Sequence, residues 1–409
     1  MDRRCFVSSL LAAPLASRLG IAGRSIAPRS QDHVVVIGAG AFGGWTALAL
    51  LRAGARVTLV DAWGAGNSRA SSGGETRVIR AAYNGEHVYI DMVARALQLW
   101  RDEEKRWNRP VLTRTGAIWM FGADNSYATR SIEPMKAVGL PLEELSLTEA
   151  SRRYSQINFN GVRSVFFEPE AGFLAARMAC ELVRQTFVRE GGDYRVAWVR
   201  PGALSGVRML GVTVSDGSTL DADRFVFACG PWMGQLFPGV VGRRIVATRQ
   251  EVFFFGVPAG TTRYDAGSLP VWLDFGDRIF YGIPGNERRG FKVADDTAGV
   301  EVNPTTMERQ PSDAGLARAR AHLRTRFPEL ANAPLLEARV CQYEAASDGN
   351  YLVDRHPELE NVWLVGGGSG HGFKVGPALG EHVAALVQDR ATPYPLFAYQ
   401  RLRPHPNRK

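Results

Sequence analysis

The chain has 409 residues, 45% hydrophobic and 22% charged, with a formal net charge of +8. That length supports a large core in two domains, and the ordinary composition excludes a disordered or fibrous chain. No apolar run reaches the ~18 residues of a membrane-spanning helix, the basic residues are scattered rather than clustered as a nucleic-acid surface requires, and the sequence has neither a CxxC pair nor the grouped histidines of a zinc site.

In chain order, residues 1–27 read as a twin-arginine-type signal peptide. Arg3 and Arg4 precede an uncharged apolar stretch that ends at Ser17, and Ser25-Ile26-Ala27 offers small residues for cleavage. This predicts an exported protein, periplasmic or secreted; the alternative reading is a disordered N-terminal extension on a cytoplasmic enzyme. The next segment, residues 33–61, carries the strongest signal. A β-branched run leads into Gly38-Ala39-Gly40-Ala41-Phe42-Gly43, an Ala- and Leu-rich helical stretch follows, and a second apolar run closes on Asp61. Gly38 permits a sharp turn off the strand. Gly40 lets backbone approach a pyrophosphate, and Gly43 lets the helix pack closely on the sheet. The anion would rest on the helix N-terminus, and Asp61 stands where an acid takes ribose hydroxyls. These residues predict a dinucleotide site without distinguishing FAD from NAD.

A Gly-, Ala- and Ser-rich loop spans residues 63–75, and helical periodicity covers 87–107. Residues 114–121 and 247–281 read as strands broken by turns, an antiparallel pattern. Between them lie a helix over 174–189 and a buried strand over 224–228 ending in Cys229. A charged amphipathic helix covers 312–327. A last buried strand, 362–365, meets a glycine-rich turn, and a helix over 377–389 follows. The predicted fold is α/β: a Rossmann-type dinucleotide-binding domain (32–112, 172–240 and 342–395) interleaved with a substrate domain built on a mainly antiparallel sheet (113–171 and 241–341).

Of the 49 basic residues only Lys105, Lys136, Lys292, Lys374 and Lys409 are lysines. In a chain that uses arginine almost everywhere, a retained lysine in apolar, glycine-rich surroundings suggests a need for a compact charge whose pKa can shift. Lys292 and Lys374 meet that description. Cys180 and Cys229 read as small core residues.

Four islands together resemble the monomeric sarcosine oxidase and N-methyltryptophan oxidase family of FAD-dependent amine oxidases, within the wider D-amino acid oxidase-like group. They are the fingerprint, residues 71–83 (Ser71 through Arg77 and Arg80 to Tyr83), Arg339-Val340-Cys341-Gln342-Tyr343, and Gly368-Ser369-Gly370-His371-Gly372-Phe373-Lys374. The resemblance implies FAD. It implies that Ser71, Ser72 and Val199 contact the cofactor and that Arg77 lies by the flavin. Cys341 would be joined through sulfur to the flavin, its thiolate favoured by a nearby cation such as Arg339. Gly370, His371, Gly372 and Phe373 would meet the flavin ring. Arg80 and Lys374 would clamp a substrate carboxylate, Lys292 would face the oxygen site, and Tyr281 and Tyr343 would line the substrate cavity. At Asp296 the family usually has histidine, which puts sarcosine itself in doubt as the substrate. An acid there could favour a cationic amine, a basic side chain or a different protonation state of bound substrate.

The expected activity is oxidation of the C–N bond of an amino acid, expected to be a secondary one (N-alkyl or cyclic), with O2 as acceptor and an imine and H2O2 as products. The alternatives are a dehydrogenase passing electrons to a quinone or carrier, and a flavin-binding protein without turnover. The expected partners are a small amino acid and O2, with no nucleic acid and no stable membrane insertion. The resemblance favours a monomer.

Overall fold

Six short strands, five of them with buried β-branched or aromatic residues, assemble the first sheet, in a computed structural model that describes residues 32–297 and 299–404. The order is Leu352–Arg355, Val362–Gly366, Arg224–Phe227, His33–Ile37, Arg56–Asp61, Asp193–Val196. All neighbours are parallel except the edge strand Leu352–Arg355. His33–Ile37 at its centre is buried along its whole length, as a strand covered on both faces must be. The signal-peptide reading of residues 1–27 lies outside the described residues.

Close packing joins this sheet to its helices. Gly38 has φ +105°, a left-handed conformation that a side chain resists, and a Cβ there would overlap the Ala228 carbonyl. A Cβ on Gly43 would overlap Gly38 O. The helix Ala41–Arg52 therefore leaves the strand at once and lies tight against it. Its other neighbour is the helix Gly376–Val387, where a Cβ on Gly380 would meet the Trp45 backbone at 2.6 Å.

The second sheet has eight strands, in the order Leu335–Ala346, Ile245–Phe255, Phe291–Asp295, Ile279–Ile283, Val271–Phe275, Ala117–Phe121, Ser164–Glu168, Glu143–Leu145. It is antiparallel except where Val271–Phe275 runs parallel to Ala117–Phe121, so the mainly antiparallel expectation is met. Its register sorts the residues by face. Phe253, Val293, Trp272 and Ile118 share one side and form a core with Ala319 and Leu323. Those two residues belong to the helix Asp313–Arg326, which Ser312 caps by accepting from Gly315 N. Cys341, Tyr343, Lys292, Tyr281 and Trp119 share the other side.

The chain visits the two sheets alternately. Leu335–Ala346 runs unbroken through residues 341 and 342, so two of the segments drawn from sequence meet within one strand. The helix expected over 174–189 begins later, at Ala176. Its first residues belong to the strand Gly172–Ala175, which pairs with Thr76–Ile79 and Leu112–Thr113. Tertiary pairing overrides the local helical pattern there. A small sheet of Val199–Pro201, Gly211–Val214 and Thr219–Asp221 was not anticipated.

The close approach at Gly43 has a measurable consequence. Gly43→Ala is expected to cost about 1–3 kcal/mol through overpacking. Gly44→Ala, whose Cβ would rest 3.4 Å from Val183 Cγ1, should change stability by less than about 1 kcal/mol. Urea unfolding checks both, and equal midpoints for the two variants would contradict the packing account.

Candidate functional site

A cleft opens where the parallel strands end. Gly38, Gly40, Asp61, Ser71, Ser72, Arg77, Val199, Gly370, Gly372 and Phe373 all line it. The helix N-terminus at Gly40 has no side-chain cap and no acid in its first turn, which leaves its amides and dipole available to an anion. Beside it the Ser71 hydroxyl is buried without a partner, and a Cβ on Gly40 would crowd Ser72 Oγ at 3.1 Å. An orphaned hydroxyl, a free helix end and a cradle that a side chain would fill suit a pyrophosphate. Asp61 accepts from the amides of Ala39 (2.8 Å), Trp63 (2.9 Å) and Gly64 (2.8 Å), which fixes its carboxylate at the far end of the cleft. These residues fit a dinucleotide such as FAD.

Four expected cofactor residues lie elsewhere. Gly43 serves the helix–strand packing. The His371 ring sits among tyrosines: its Nε2 lies 3.0 Å from Gly349 O, and its Nδ1 2.9 Å from Tyr351 OH and 3.2 Å from Tyr83 OH. The carbonyl can only accept, so Nε2 carries the proton and Nδ1 accepts from the hydroxyls. Burial, with Lys374 and Arg80 nearby, pushes this imidazole down to about 3 and keeps it neutral. Lys374 is buried beside it, and Cys341 lines a second cavity.

That second cavity meets the first at Ala70, Arg77 and Tyr343 and is also lined by Lys292, Tyr281 and Arg339. The cation against Cys341 is not Arg339, as the sequence suggested, but Arg77, whose guanidinium lies 3.5 Å from Sγ. Arg339 is instead bound to Glu75 and Glu337. Arg77 also donates to Ser71 O and ties this region to the anion cradle. Cys229 differs from its expected core placement too: it is only partly buried and lines the first cleft. Lys292 is buried and donates to Thr76 O (3.1 Å) and Thr76 Oγ1 (3.4 Å). Burial, reinforced by Arg77, lowers its pKa to about 7.

Arg80 and Lys374 converge on Tyr83. Lys374 Nζ donates to Tyr83 OH at 2.8 Å and to His371 O at 2.7 Å, and the Arg80 guanidinium lies 4.0 Å from the Tyr83 ring centroid. Burial and the Arg80 charge push Lys374 well below its usual range. Tyr343 OH donates to Asp296 Oδ1 at 2.9 Å. Asp296 is an exposed residue with protein packed densely around its carboxylate. These surroundings raise its pKa to about 6, against the opposing pull of Tyr343, Arg80 and Lys374. Arg77 and Arg80 do not share a turn: Arg77 lies within the strand Thr76–Ile79 and Arg80 just beyond it.

Sequence reasoning missed several groups. Glu168 is buried beside Arg80, accepts from Ala81 N and is pushed up to about 7 by burial. Tyr127 and Trp119 flank the Arg80 guanidinium, 5.9 and 5.5 Å from it to their ring centroids. Glu344 is buried on the cleft wall, with Oε2 unpartnered. Only the buried-side spacing of the strands hinted at the two acids. Among the described residues no cluster suits a metal ion, and no helix is long and apolar enough to cross a membrane.

Comparison with known proteins agrees with this geometry. A family model described as "DAO: FAD dependent oxidoreductase" matches residues 33–386. Monomeric sarcosine oxidase of Bacillus sp. (strain B-0618) is 27% identical over 386 residues, covering 91% of this chain and 96% of that one. N-methyl-L-tryptophan oxidase of Yersinia pestis (strain Pestoides F) is 26% identical over 378 residues, covering 90% and 98%. The structure of L-proline dehydrogenase from P. horikoshii superposes with a TM-score of 0.79 at 21% identity, covering 91% of this chain and 97% of that one. Fructosamine oxidase from Aspergillus fumigatus (Amadoriase II) gives 0.75 at 21% identity, covering 90% of each. The two structures share the fold.

The buried Lys292 makes stability depend on pH. Its folded pKa lies below the unfolded value, so the protein pays fully for the buried ammonium below about pH 7, and the cost fades as pH rises toward the unfolded value. In the apoprotein Lys292→Met should therefore stabilise more at pH 6 than at pH 9. Paired urea titrations test the sign, and a larger gain at pH 9 would contradict it.

Proposed function

The chain belongs to the FAD dependent oxidoreductase family, and from that premise we propose that it oxidises the C–N bond of an amino acid, preferentially a secondary one, N-alkyl or cyclic. The observation that carries this reading is the convergence of Arg80 and Lys374 on Tyr83. Two cations held on one aromatic hydroxyl and ring form a fixed receptor for a carboxylate. The names of the sarcosine and N-methyl-L-tryptophan oxidases point to the same class of substrate.

The residues divide the work. Gly38, Gly40, Ser71 and Ser72 would hold the pyrophosphate and Asp61 the ribose. Arg77 and Cys341 would hold the flavin end, with Cys341 as the covalent attachment. FAD, when bound, would supply the two-electron acceptor for oxidation of the amine to an imine, with O2 as the final acceptor giving H2O2. Arg80 and Lys374 hold the substrate carboxylate and so fix the α-carbon against that acceptor. Glu168 offsets the buried Arg80 charge. Tyr281 and Tyr343 wall the second cavity. Lys292 offers its ammonium to the charge that develops on oxygen. The six-stranded sheet and its helices make the cofactor-binding domain, the eight-stranded sheet the substrate domain, and the protein works as a monomer.

A panel of N-methyl and cyclic amino acids on purified holoenzyme, with H2O2 and artificial acceptors read in parallel, tests the activity; no turnover with any of them would contradict it. Met at either Arg80 or Lys374 should weaken a simple carboxylate inhibitor by roughly 1.5–3 kcal/mol, read by titrating the flavin spectrum, and unaltered affinity in both variants would remove the clamp. Lys292→Met should slow reoxidation by O2 by about 10²–10³-fold and spare anaerobic reduction. An unchanged oxygen rate in stopped flow would instead favour a dehydrogenase.

A further inference from the structure

The strand Phe291–Asp295 carries Lys292 and Ala294 on the face turned toward the cleft, and alternation continues that face to Asp296. Asp295 turns the other way, to Arg278 and Arg318. The amide of Asp296 is fixed by donating to Ile279 O at 2.8 Å. Of its two carboxylate oxygens, Oδ1 accepts from Tyr343. Oδ2 receives no hydrogen bond from a described residue, and Asp296 is open to solvent. Both Arg80 and Lys374 act on this carboxylate, yet neither forms an ion pair with it among the described residues. An acid that feels two cations yet is held by a neutral tyrosine leaves the site with separated charges: positive where Arg80 and Lys374 meet on Tyr83, negative at Asp296.

We propose that Asp296 is the specificity-determining counter-charge for a cationic nitrogen, so that the site prefers a ligand carrying both a carboxylate and an ammonium over one carrying a carboxylate alone. The Tyr343 hydroxyl orients the carboxylate and leaves Oδ2 for the ligand. This inference rests on the reading of Arg80 and Lys374 as the carboxylate receptor. It narrows the substrate class to zwitterions and disfavours acids of the same shape without a charge on nitrogen.

Two dead-end probes of nearly identical shape separate the terms. Trimethylglycine carries a permanent cation and no N–H to lose. In 3,3-dimethylbutanoate a carbon replaces the nitrogen. Each is titrated into holoenzyme at pH 8 through the flavin spectrum. Wild-type protein should bind trimethylglycine about twofold to fivefold more tightly, the scale of one solvent-accessible ion pair. Asp296→Asn should bring that ratio to about one. The same variant should bind 3,3-dimethylbutanoate at least as well as wild type, since the repelling acid is gone, and this also shows that it is folded. Lys374→Met should weaken both probes. A wild-type ratio near one, or a ratio that Asp296→Asn leaves unchanged while both probes still depend on Lys374, overturns the role of Asp296 alone. Loss of the Lys374 dependence overturns the carboxylate receptor and this proposal with it.

Discussion

The pleat of the eight-stranded sheet is the constraint on which the site depends. Because successive side chains alternate between faces, one register serves two purposes. Phe253, Val293 and Trp272 are turned into the core beneath the helix Asp313–Arg326. Cys341, Tyr343, Lys292 and Tyr281 are turned toward the second cavity, which meets the glycine cleft at Ala70, Arg77 and Tyr343. A slip of one residue in any of these strands would exchange the two sets, burying the ionisable groups in the core and losing the site together with the packing.

The face so exposed is heavily cationic. Arg77, Arg80, Lys292 and Lys374 converge there, and the buried acids Glu75 and Glu168 offset only part of that charge. Removal from water acts more strongly on all four cations than any single neighbour does, and it depresses both lysines. Such a site holds unfavourable electrostatics in the free protein that an anionic cofactor and a carboxylate ligand would relieve. Hydrogen bonds to neutral groups position the lysines meanwhile: Lys292 on Thr76, Lys374 on Tyr83 and His371 O. The two lysines are thus held where a change in ligand charge most alters their protonation.

What the sequence disclosed was local or compositional. The roles of Gly38 and Gly43 follow from a turn and a close contact within a few residues of each other. Lys292 and Lys374 stand out because lysine is scarce in this chain, and both are buried. The helices over 87–107 and 312–327 follow from periodicity. What stayed hidden was pairing at long range. Arg77 reaches Cys341 across 264 positions, and nothing near Cys341 in sequence distinguishes Arg77 from Arg339. Arg339 is withdrawn by Glu75, which is also distant in the chain. Glu168 and Glu344 carry no motif and matter only because the fold buries them. The placement of His371 depended on three tyrosines from separate segments.

The central claim is that a single flavin cofactor spans from the glycine turn of one sheet to the Cys341 face of the other. Acid denaturation of the purified holoprotein, followed by proteolysis and mass spectrometry, tests it most directly. The account predicts that flavin absorbance stays with the protein and maps to the peptide containing Cys341. Complete release of the flavin, or its attachment to a peptide remote from that strand, would contradict the account.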